Sequence, residues 1–245
     1  KISGVTIRNG NPGPVLNGGG ILISESASPM LTNIKIIGNT ASSGGGIFND
    51  SGTVTIANGL VTDNVALQGA GIRNNFGTLT LNNSSVNNNS AGSGGGRGGI
   101  DNLMGNVTLK DSSVDFNIGG GIETTGGTFT LMNTSVNNNA TCCTSGGGIA
   151  VAIGSLMIGN GIVCGNSAVS GGGITYVSGT LTLIDATICN NSALNTGGGI
   201  DGAGNLSMTN VTVSGNSAGF GGGIFDNGGN ETLINCTISG NVAAN

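Results

Sequence analysis

Histidine and tryptophan are absent from this 245-residue chain. Without imidazole there is no Ser-His-Asp or Cys-His nucleophile arrangement, no histidine metal ligand and no use of the commonest general base. Charge is nearly as scarce, with 6 Lys and Arg against 11 Asp and Glu and a net charge of −5. So few cations cannot match the phosphate charge of a nucleic acid, which is therefore not an expected partner. Aromatic residues make up 3% and there are three prolines. No apolar run approaches the ~20 residues of a transmembrane helix, and no long segment repeats its apolar positions at the helical period. The glycine runs lack the following Lys-Ser/Thr of a phosphate loop, so no cofactor is expected. No initiator Met, signal peptide or terminal cap is recognisable in these residues. The chain is expected to be an excerpt of a longer solenoid or a subunit whose open ends stack into a filament.

What the chain has is glycine, 51 residues of it, set in a repeat. Gly-Gly-Gly-Ile ends at Ile21, Ile47, Ile122, Ile149, Ile174, Ile200 and Ile224, with variants ending at Ile72 and Ile100. Successive isoleucines are 22–28 residues apart, so the chain holds nine copies of one unit. A period of this size is the mark of a stacked repeat fold. One asparagine recurs in every unit: Asn39, Asn64, Asn89, Asn117, Asn139, Asn166, Asn191, Asn216 and Asn241. It follows its isoleucine by 16–18 positions, whereas it precedes the next isoleucine by 5–11. Length variation is thus confined to one turn, as expected where a packed register tolerates insertion only at the surface.

Six residues before this asparagine lies a second polar column: Asn33, Asn58, Asn83, Asp111, Asn133, Asn160, Asp185, Asn210 and Asn235. Three residues before it lies an aliphatic one, Ile36 through Ile238. Upstream, stretches such as Thr78-Leu79-Thr80-Leu81 alternate with the period of a half-buried strand. Three short strands per unit predict an all-β, single-chain parallel β-helix of about nine coils, one domain over residues 1–245. At ~4.8 Å per coil it would be a rod roughly 43 Å long. Both polar columns are expected to be internal ladders at αL corners, and the glycines to supply φ > 0 and close approach of coils.

Three sets of residues are candidates for chemistry. Cys164 and Cys189 each stand two residues before the ladder asparagine of consecutive coils, ~4.8 Å apart, so a disulfide and two free thiols are both compatible with the spacing. The adjacent Cys142 and Cys143 lie in a variable turn, and the count of five leaves one thiol over. Next to each repeat isoleucine, Asp101 and Glu123 should be neighbours on one column with Arg73 beside them. That grouping would bind calcium, or a uronic-acid substrate through it, or would form a solvated charge cluster. Asp111, Asp185 and Glu231 replace neutral residues of their columns and read as local tolerance. Outward Thr-x-Thr rungs (Thr53/Thr55, Thr78/Thr80, Thr128/Thr130, Thr180/Thr182) form the flat array that would suit ice binding, broken by Asn106, Ser155, Met157, Asn205 and Ser207.

The complete unit, seen clearly from Gly77 to Ala91, resembles right-handed parallel β-helix repeats of secreted bacterial proteins. It is similar to the paired Gly-Gly-Ile and Phe-x-x-Asn motifs of polymorphic outer-membrane proteins, with Val86 to Asn89 standing in for the second motif. The resemblance covers essentially the whole chain. It implies a right-handed solenoid at the cell surface or outside the cell: a structural or adhesive rod, including a head-to-tail filament subunit. Its partners would be further copies of itself or a cell-surface polysaccharide. The alternative it implies is a pectate-lyase-like polysaccharide-binding or -degrading helix. The catalytic clusters of such enzymes have no counterpart among these residues, so no catalytic residue is predicted. Ligand specificity is expected in the longest turns, 90–97 and 140–145.

Overall fold

A computed structural model describes residues 1–13, 15–92 and 96–244, and among these every regular element is a strand. The coil that starts at Ile72 shows the plan: strands Ile72–Asn75, Thr78–Asn82, Ser85–Asn87 and Ser90–Ala91 follow one another in a single turn. Each pairs in parallel with the equivalent strand one coil on; Ser90–Ala91 pairs with Val65–Ala66 of the coil before. The result is a parallel β-solenoid. The sheet through the aliphatic column has ten strands, one per coil, so the stack has about ten turns. The turn beyond the nine expected is the partial first one, Ile2–Ser3 and Thr6–Arg8.

Three strands per coil were expected, and the arrangement differs in two ways. The Gly-Gly-Ile and Thr-Leu-Thr-Leu segments belong to one 17-stranded sheet and fuse into single 11-residue strands at Ile122–Met132 and Ile149–Gly159. A further face is built from two-residue strands, such as Ser167–Ala168 and Ser192–Ala193, just after the ladder asparagine. Two residues are too few to carry a period in sequence.

The interior is aliphatic because period-two alternation turns one residue in two inward. Ile72, Leu79, Leu81 and Val86 are fully buried, and their equivalents continue the stack in the coils on either side. Each such side chain contributes about 1.5–3 kcal/mol relative to exposure. Tyr176 and Phe129 are the largest side chains in this core. Tyr176 takes up the room left by Gly202 one coil on, where any Cβ would strike its ring.

The glycine triplet divides two tasks between its members. The first glycine, for example Gly146 (φ 75°), holds the left-handed corner conformation. The third needs space instead. A Cβ on Gly148 would lie 2.6 Å from the Gly173 carbonyl oxygen and 2.9 Å from Asn166 Nδ2, both on the next coil.

The two polar columns also differ from each other. The column from Asn39 to Asn241 is a continuous internal ladder, with Asn39 to Asn216 essentially inaccessible to solvent. At Asn139, Oδ1 accepts from the backbone N–H and Nδ2 of Asn117, both at 2.9 Å. Its Nδ2 donates to the Val114 carbonyl (2.8 Å) and to Asn166 Oδ1 (3.0 Å). The left-handed residue is not this asparagine but the one before it: Gly38, Asp63, Asn88, Phe116, Asn138, Gly165, Asn190, Gly215 and Gly240.

The column from Asn33 to Asn235 does hold αL, with φ of 46–56° throughout, yet it is exposed rather than internal. Its side chains pair outside the core, as in Asn83 to Asn58, Asn133 to Asp111 and Asn210 to Asp185. A left-handed corner turns the chain outward from the core, so its side chain meets water. A third ladder was not foreseen: Asn49, Asn74 and Asn102, fully buried and joined by Nδ2···Oδ1 bonds of 2.7 Å. Each follows its isoleucine by two and therefore shares its inward face.

Candidate functional site

The residues that follow the repeat isoleucines stand in one column, and Arg73 pairs with Asp101 and Asp101 with Glu123. A solvated cluster is one expectation for this grouping, but Arg73 is 8% exposed and Asp101 fully buried. Beside Arg73 the cause is the corner glycine of its triplet, which lies against the column; before Asp101 that place is taken by Arg97. A Cβ on Gly69 would sit 2.9 Å from the Cα of Arg73. The Asn-to-glycine turn thus covers a face that alternation alone would leave in water.

A fourth group completes the cluster. Arg97, from the variable turn 90–97, places Nη2 2.5 Å from Glu123 Oε1 and Nη1 3.4 Å from Asp101 Oδ1. Residues 93–95 of that turn lie outside the described residues. Arg73 forms an ion pair with Asp101 Oδ2. The 3.4 Å contact at Oδ1 lacks hydrogen-bond geometry, so that oxygen is buried without a hydrogen-bond donor. Burial, then repulsion from Arg97, lowers the Arg73 guanidinium to about 10, partly offset by Glu123. Two guanidiniums and two carboxylates therefore balance, with Arg73 and Asp101 buried and Arg97 and Glu123 about a quarter exposed. Both carboxylates have an arginine partner, and a calcium ion would have to enter beside two positive charges. Among the described residues, no group of three or more His, Cys, Asp or Glu is placed to hold a metal ion.

Beside this network lies a cleft of about 520 Å³. Its origin is visible in the turn lengths. Asn117 precedes Ile122 by only five positions, whereas Asn89 precedes Ile100 by 11 and Asn139 precedes Ile149 by 10. The short turn before Ile122 opens the cleft. Arg97 lines it from one side, Thr144 and Ser145 from the other, with Glu123 uncovered between them. Leu67 and Val177 give this notch apolar surface.

The remaining candidates are dispersed. Cys164 and Cys189 are in register with Cα atoms 4.6 Å apart and their sulfurs joined; Cys142 and Cys143 are likewise joined, and Cys236 is free. The threonine rungs stack as expected, and Thr108 extends the second column. Met157, 37% exposed, interrupts that column. Glu231 stands on Leu206, and its hydrogen bond with Asp226 raises its pKa. The Tyr176 hydroxyl has no hydrogen-bond partner, and it is pushed up to about 12 by burial and by Asp226, Glu231 and Asp201.

Asp115 was not singled out from the sequence. It belongs to a column whose side-chain oxygens accept a backbone N–H of the following coil: Asn87 from Asp115 (3.2 Å), Asp115 from Asn137 (2.8 Å) and Asn137 from Cys164 (3.0 Å). Burial raises its pKa, against the pull of its donors Asn137, Ser113 and Ser135. Folding thus favours the protonated form. This stabilisation is complete below the ordinary carboxylate value of about 3.9 and is lost as pH rises through the higher folded value. Asp115→Asn keeps the acceptor without the charge. Its melting temperature should exceed that of the parent at pH 7, with a smaller loss between pH 4 and 7. An unchanged pH slope would contradict this assignment.

No protein-family model, curated protein or solved structure matches this chain. No helix among the described residues is long and apolar enough to cross a membrane, which leaves strand-built spans unaddressed.

Proposed function

We propose that this chain is an extracellular structural rod that presents its lateral faces for adhesion. The observation that supports this reading is the unbroken asparagine ladder from Asn39 to Asn241, which ties every coil to the next through buried side-chain amides. Such a stack resists bending, because tilting one coil stretches bonds in a water-free interior where each unmade bond costs about 1–3 kcal/mol. The joined Cys164 and Cys189 sulfurs add a covalent staple suited to an oxidising compartment outside the cell. Coils in one register are also templates for one another. Parallel pairing can join coils of two molecules through the same donors and acceptors as coils of one, so end-to-end assembly into filaments is the self-association we propose.

Immunogold labelling of intact producing cells, followed by electron microscopy of the purified chain, tests both parts. Surface label and stiff particles or fibres one coil cross-section wide are expected. Label confined to the cell interior would refute the extracellular role. Strictly monomeric sedimentation without fibres would refute filament assembly.

A further inference from the structure

We infer that the notch over the turn before Ile122, lined by Arg97 on one side and by Thr144 and Ser145 on the other, is a binding site for a neutral saccharide, recognised through adjacent hydroxyl groups. The inference rests on the adhesive-rod reading only in supplying a reason for a surface glycan to meet this face. Three observations carry it. First, the notch is a consequence of chain design, since Asn117 precedes Ile122 by only five positions, the shortest such interval in the repeat, and this leaves Glu123 open between Arg97 and Thr144. The notch's 520 Å³ falls in the usual range for small-molecule sites, about 300–1,000 Å³.

Second, a donor and an acceptor stand side by side at its floor. Arg97 commits part of its guanidinium fork to Glu123 and Asp101 while its side chain stays 26% exposed. Guanidinium carries five N–H donors, so some are left over, and Glu123 keeps a second carboxylate oxygen. Two neighbouring hydroxyls match this pair, one accepting from Arg97 and the other donating to Glu123. The network behind, with Asp101 fully buried, holds Arg97 in place before any ligand arrives.

Third, the charge balance selects the ligand class. A uronate carboxylate drawn to Arg97 would also approach Glu123 and Asp101. Two carboxylates offset two guanidiniums, so an acidic sugar gains no net Coulomb attraction and loses hydration. A neutral sugar meets no such opposition, and its C–H face can rest on Leu67 and Val177, both more than half exposed.

The test uses the full chain with its disulfides intact. Soluble neutral oligosaccharides of glucose, mannose, galactose and N-acetylglucosamine are screened by calorimetry, with oligogalacturonate as the acidic probe. The expected result is binding of at least one neutral series with oligogalacturonate weaker. Val177→Trp, at a position 59% exposed on the notch wall, should fill the space and weaken binding about tenfold or more without altering the melting transition. If that variant melts differently, Ser145→Arg on the exposed turn provides the same block. Glu123→Ala should weaken binding by a similar factor, through loss of a charged hydrogen bond. Absence of neutral-sugar binding, preference for oligogalacturonate, or unchanged affinity in the blocked variants each overturns the proposal. A stiff rod that binds no sugar would sink this site and leave the structural reading standing.

Discussion

Asn139→Ala is expected to destabilise the rod by roughly 3–5 kcal/mol, a large effect for the loss of one amide. The alanine fits the backbone, because Asn139 is not among the positive-φ residues. What it removes is the partner of groups already buried. The Asn117 N–H and one Nδ2–H of Asn117 lose their acceptor, and the Val114 carbonyl loses a donor. Each orphaned buried group costs about 1–3 kcal/mol, and relaxation of the two coils recovers part of the sum. Asn133→Gly is the contrasting variant. It sits six residues away on the exposed column, its αL conformation (φ 49°) suits glycine, and it loses one solvent-exposed bond to Asp111. Its cost should stay under about 1 kcal/mol. Urea midpoints compare the pair, and hydrogen exchange localises the effect, since the Asn117 amide should lose protection in the first variant only. Equal losses would mean that the buried ladder is no more important than the exposed one.

Gly148→Ala is the second substitution with a large expected effect, about 3 kcal/mol or more. Its new Cβ meets the Gly173 carbonyl at 2.6 Å and Asn166 Nδ2 at 2.9 Å. Neither can retreat. The carbonyl belongs to the next coil's backbone, and the amide is fixed at both ends by the ladder. Relief requires the coils to separate, which stretches the parallel hydrogen bonds on either side. Gly159→Ala tests whether the cost is specific. That glycine is also buried and without positive φ, but its Cβ would touch only the flexible Cε and Sδ ends of Met132, at 2.8 Å. Less than about 1 kcal/mol is expected there. Thermal denaturation distinguishes the two; similar shifts would show that close approach of coils is not why the third glycine of each triplet is glycine.

Much of this architecture was legible because a solenoid writes its contacts into the sequence as columns. Alignment on Ile21 to Ile224 placed Cys164 on Cys189 and Asp101 on Glu123 in the observed register. The glycine triplet and the internal ladder were legible for the same reason. Arg97 was not, although it takes the place of the first glycine of a triplet three residues before Ile100, because a single departure in a glycine column does not show which way its side chain reaches. The burial of Arg73 and Asp101 was hidden for a related cause. Alternation says which way a strand residue points, not whether a neighbouring turn folds over it. The ladder of Asn49, Asn74 and Asn102 had a readable signal in its two-residue offset from an inward isoleucine. Its short run, ended by Thr124 and Val151, made it easy to pass over. Both polar columns looked alike as strings of asparagine. Only φ separates them, and asparagine is equally suited to an αL corner and to a buried amide ladder.

The stacking itself is tested most directly by one distance. Positions 55 and 207 are 152 residues apart in sequence yet occupy the same column, six coils apart through Thr80, Thr108, Thr130, Met157 and Thr182. Spin labels on Thr55→Cys and Ser207→Cys are placed in a chain with Cys142, Cys143 and Cys236 replaced by serine. Pulsed electron resonance should then give one narrow distribution centred near 29 Å, six spacings of ~4.8 Å. A broad distribution near the roughly 65 Å of a flexible glycine-rich chain of that length would contradict a stacked rod.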